Sequence, residues 1–67
     1  MIRDLDIYRS ANVLIREHGE DAALDATTWA IAMLDKGDLD RYAVWKRILR
    51  AVEEIQRTDP ADDEPIH

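Results

Sequence analysis

The chain contains two glycines, Gly19 and Gly37, and acids follow each directly, as Gly19-Glu20-Asp21 and Gly37-Asp38. A glycine just past a helix can adopt the left-handed backbone that closes the last turn. A carboxylate after it can accept the unpaired amide donors of the next helix while facing that helix's positive end. Each glycine therefore reads as a helix stop joined to a helix start. The expected fold is all-α, a three-helix up-down-up arrangement, because very short connections force neighbouring helices to run antiparallel.

Helical periodicity fills the three intervals. From about Asp4 to His18, the residues Ile7, Tyr8, Ala11, Leu14, Ile15 and His18 follow the three-four spacing of one stripe, with Asp4 or Asp6 as the cap. From about Asp21 to Lys36, Ala23, Thr27, Ala30 and Leu34 form one stripe, which Leu24 and Ile31 extend. Ala22, Ala26, Trp29 and Met33 form a second. More than half of this helix is apolar or small, so it is expected to be central and covered from two sides. The third helix has Asp38 as cap and reaches Gln56 or Arg57, where Thr58-Asp59-Pro60 stops it. Its stripe is Val44, Ile48, Ala51, Val52 and Ile55, adjoined by Tyr42, Trp45 and Leu49, with Arg50/Glu54 and Glu53/Arg57 as i, i+4 pairs opposite.

Charge divides the chain into a domain over 1–57 and a tail over 58–67. The first part holds all 9 basic residues and 11 of the 15 acids, whereas Asp59, Asp62, Asp63 and Glu64 crowd the end. Four acids, two prolines and one isolated Ile66 cannot bury enough apolar surface to offset ordering entropy, so the tail is expected to be disordered. The net charge of −6 disfavours nucleic acid and anionic membrane as partners. The longest uncharged run, Ala26 to Leu34, falls far short of the roughly 20 residues a membrane span needs. With no cysteine and no secretory-type start, a cytoplasmic protein is expected.

No constellation in the chain carries chemistry. His18 stands with Glu17, Glu20 and Asp21 at a helix end, but it lacks the second histidine one turn away that a helical metal site needs. Capping and packing suit it better. The hydroxyls of Ser10, Thr27, Thr28 and Thr58 have no histidine beside them in sequence. The expectation is a protein that is not an enzyme and carries no cofactor and no metal.

The two tryptophans carry more weight. A lone bundle of three short helices cannot easily cover Trp29 and Trp45 together with the large residues of helices two and three. Leu24, Trp29, Met33, Val44, Trp45, Ile48 and Ile55 are therefore the predicted interface, engaging a second copy in a homodimer or an unidentified protein. Two alternatives remain: a DNA-associated regulator using Lys46 and Arg47 with Arg41, Arg50 and Arg57 of helix three, and an acidic inhibitor acting through the tail.

The runs Ala11-Asn12-Val13-Leu14-Ile15, His18-Gly19-Glu20-Asp21-Ala22, Met33-Leu34-Asp35-Lys36-Gly37-Asp38 and Val44-Trp45-Lys46-Arg47-Ile48 resemble small uncharacterised helical proteins of alphaproteobacteria. The resemblance implies a cytoplasmic bacterial protein. It implies no activity, cofactor or site.

Overall fold

The computed structural model describes residues 3–57, so the tail expected at 58–67 lies outside the described residues. The protein is all-α. Helix α1 spans Asp4–His18, a 3-10 turn follows at Gly19–Asp21, α2 spans Ala22–Lys36, and α3 spans Leu39–Arg57.

The two junctions are built differently. At the second, Gly37 is left-handed (φ 81°, ψ 14°); its N–H donates to the Leu34 carbonyl, and the Asp38 N–H donates to the Met33 carbonyl. This nested pair of bonds is the Schellman closure, and it satisfies carbonyls that α2 would otherwise leave open. Asp38 Oδ1 then accepts from the Arg41 N–H at 3.1 Å and caps α3 as expected. At the first junction Gly19 takes φ 58° and ψ −123°, and the chain makes one 3-10 turn before α2 begins. Asp21 occupies the cap position of α2 without accepting a side-chain bond. The acids after Gly19 are therefore not side-chain caps, because the tight turn already gives the chain its change of direction. Nor does Asp4 or Asp6 cap α1. Arg3 holds the cap position in an extended conformation, and both acids sit in the first turn, facing the positive helix end.

The contacts give the directions. Asp4 pairs with Arg47 and Tyr8 bonds to Glu54, so numbers rise together along α1 and α3, and these helices are parallel. Trp29 stacks on Trp45, equidistant from Gly37, as an antiparallel α2–α3 hairpin requires. Helix α3 packs extensively on α2 and on α1, while α1 and α2 touch each other less. The central helix is thus α3, not the expected α2. At 19 residues it is long enough to lie along both shorter partners.

One cluster of buried residues joins the helices: Ile7, Ala11 and Leu14 from α1, Ala22 and Ala26 from α2, and Ile48, Ala51 and Val52 from α3. Alanine supplies half of this set, and Val52 is the largest side chain that is fully buried. Small side chains let helices approach closely, and around these alanines pack the larger Ile7, Leu14, Ile48 and Val52, with Ile15, Val44, Trp45, Leu49 and Ile55 at the margin. His18 was expected on the apolar stripe but is exposed at the end of α1, its Nε2 3.7 Å from Asp25 Oδ2.

Candidate interaction surface

Which face of α2 turns inward decides what the molecule presents outward. The buried residues of α2 are Ala22, Ala26, Ala30 and Met33. The large residues Leu24, Ile31 and Leu34 remain outside, 66%, 59% and 49% exposed. On a helix of 3.6 residues per turn, Leu24, Thr27, Ile31 and Leu34 fall within about 80° of one another, turned more than a quarter turn from the core stripe. Their 3-4-3 spacing is that of a helix-packing seam. The hydroxyls of Thr27 and Thr28 donate to the carbonyls of Ala23 and Leu24, each at 2.9 Å. The polar atoms of both threonines are thus satisfied within α2, and neither hydroxyl needs water or a partner.

The seven residues predicted as an interface do not share one face. Met33 and Ile48 are buried within the chain. Val44, Trp45 and Ile55 are half-buried and pack against the core. Leu24 and Trp29 are exposed but lie on different flanks of α2, about 140° apart. Trp29, 46% exposed, stacks on Trp45 with ring centroids 5.5 Å apart and planes 12° from parallel. Ile31 and Leu34 were left out of the predicted set. The signal for them was present in the 3-4-3 spacing, together with the rule that alanines mark the side of closest approach.

A second feature is the groove of about 230 Å³ between α1 and α3, lined by Asp4, Ile7, Tyr8, Arg47, Arg50 and Glu54. Its polar groups are largely engaged with one another. Arg47 donates to Asp4, and the Tyr8 hydroxyl donates to Glu54 Oε1 at 2.7 Å. The bond to Glu54 and its negative charge raise the Tyr8 pKa above the ordinary value. These two contacts fasten α1 to α3. They also engage Arg47, one of the cations a nucleic-acid reading would use, while Arg41 lies 3.7 Å from Asp38. The expected pairs Arg50/Glu54 and Glu53/Arg57 are not within ion-pair distance; Glu54 has turned to Tyr8 instead.

Among the described residues no three His, Asp or Glu side chains converge as metal ligands would, and no helix is long and apolar enough to cross a membrane. Scanned against protein-family models the chain matches none, and comparisons with curated proteins and with solved structures likewise find no significant match. They do not bear on the resemblance to the small alphaproteobacterial proteins.

Proposed function

We propose that this is a non-enzymatic protein-interaction module whose working surface is the outward seam of α2, formed by Leu24, Thr27, Ile31 and Leu34. One observation carries the reading: α2 buries Ala22, Ala26, Ala30 and Met33, while Leu24, Ile31 and Leu34 stay largely in water. Burying one such side chain is worth about 1.5–3 kcal/mol, a large share of the stability of a domain this small. Leu24, Ile31 and Leu34 are already partly covered, so a partner laid along the seam recovers a part of that energy from each. The partner class proposed is polypeptide, either another protein or a second copy in a homodimer.

The test is differential capture. The wild-type chain, Ile31→Glu and Arg57→Glu are immobilised and exposed to extract from the source cells, and retained proteins are compared by mass spectrometry. Proteins held by the wild type and Arg57→Glu but lost from Ile31→Glu support the reading. The same set on all three removes the α2 seam as the working surface.

A further inference from the structure

The rim of the seam specifies its occupant. Glu20, Asp21 and Asp35 are exposed near it, and among the described residues no cation lies within ion-pair distance of any of the three. Glu20 and Asp21 lie in the 3-10 turn that leads into α2, at the Leu24 end of the seam. Asp35 follows Leu34 on the flank of the seam shared with Thr28. Asp25 is half-buried near the same end, with His18 at 3.7 Å. The one cation on α2, Lys36, lies roughly 160° around the helix from the middle of the seam. An aliphatic stripe is thus bordered by acids that no described cation pairs.

From this, and resting on the reading of the seam as the working surface, we infer that it receives a basic amphipathic helix of another protein, one with apolar residues at three-four spacing and Lys or Arg on both flanks. Helix-in-groove recognition reads such i, i+3, i+4 and i+7 anchors, and flanking charges set partner choice. A second copy fits less well. Two α2 seams crossing antiparallel, with Leu24 opposite Leu34, set Asp21 of one copy near Asp35 of the other. A parallel pair sets Glu20 against Glu20. Like charges across an interface disfavour both arrangements.

Two synthetic helices of about 20 residues test this, each with Leu and Ile at the a and d positions, one carrying Lys and the other Glu at e and g. Binding is followed by calorimetry, and the site by amide chemical shifts. The expected result is that the Lys helix binds at least tenfold more tightly than the Glu helix, weakens as salt rises, and shifts the amides around Leu24, Ile31 and Leu34. Ile31→Glu should abolish binding although it makes the surface more acidic, so plain charge attraction would give the opposite result. Asp35→Lys with Glu20→Lys should shift the preference toward the Glu helix. Equal binding of both helices overturns the inference, as does self-association of the wild type with no binding of either. If the Lys helix fails while Ile31→Glu still loses its captured proteins, the surface stands and the charge class of its partner is wrong. If both fail, the surface itself is wrong.

Discussion

The Gln56 side-chain amide donates to the carbonyl of Gly19 at 3.0 Å, so the last turn of α3 is tied to the junction between α1 and α2. Gly19 joins α1, which touches α2 only lightly, to the α2–α3 hairpin. Replacing Gln56 with alanine is expected to cost about 1 kcal/mol or less, since the bond is exposed to solvent. Amide exchange at Glu20 to Ala22 should quicken more than exchange in the core of α3. Uniform quickening throughout the chain would show that Gln56 acts on global stability and not on this junction.

The two glycines should respond differently to the same substitution. Among the described residues, no atom beyond the adjoining residues lies within 4 Å of a Cβ built at either one, so the backbone alone sets the cost. Gly37 is left-handed, a region asparagine tolerates, and Gly37→Asn should melt within a few degrees of the parent; Gly37→Val should lose roughly 1–2 kcal/mol. Gly19, at φ 58° and ψ −123°, lies in a region that essentially only glycine occupies. Gly19→Asn should therefore be the more harmful of the two asparagine variants in a thermal melt, and the reverse order would mean that the first junction relaxes into an ordinary left-handed stop.

Enlarging α2 inside and trimming it outside should have opposite effects from those a hydrophobicity count gives. Ala26 is fully buried between close helices, and Ala26→Leu is expected to destabilise by about 1–3 kcal/mol through overpacking. Leu24→Ala removes a mostly exposed side chain and should stay within about 0.5 kcal/mol of the parent. Urea unfolding of both variants decides it, and equal losses would place Leu24 in contact with the core.

The contact between Tyr8 and Glu54 predicts a pH dependence at the alkaline end. The hydroxyl donates to a carboxylate, so ionising it creates two facing negative charges, and the folded-state pKa lies above the ordinary value of about 10. The bond's contribution is complete below that ordinary value and disappears as pH rises through the raised one. In a Tyr42→Phe background, the ultraviolet titration of tyrosinate should have its midpoint above that of a free tyrosine, and Glu54→Gln should bring it down. An unchanged midpoint in Glu54→Gln would mean that the contact is not formed in solution.

The helix boundaries were legible in the chain, while the rotation of each helix about its axis was not. The stop at Gly37 and the cap at Asp38 are local chemistry, as is the three-four stripe of α1, so Asp4–His18 and the start of α3 could be read from neighbours in sequence. A helix that is apolar most of the way round gives no local preference for which side turns inward. That choice for α2 depends on how closely Ala22, Ala26 and Ala30 allow α1 and α3 to approach, which is a property of three helices together. For the same reason the sequence pattern sets Trp29 with Leu24 on one surface although the fold separates them, and places Ile31 and Leu34 on an apolar stripe without marking them as interface. The 3-10 turn at Gly19–Asp21 was hidden because acids after a glycine signal a cap equally well.

Trp29 and Trp45 are the chain's two tryptophans, and they lie ring on ring across α2 and α3. Every indole signal the protein emits therefore originates at a single seam, with α1 contributing none. Exciton coupling between the rings exists only while the hairpin is shut. Fluorescence and circular dichroism in the indole bands thus report opening of the hairpin, whereas the Tyr8 contact reports detachment of α1. Followed together, the two signals can separate a bundle that opens all at once from one that sheds its first helix and keeps the other two.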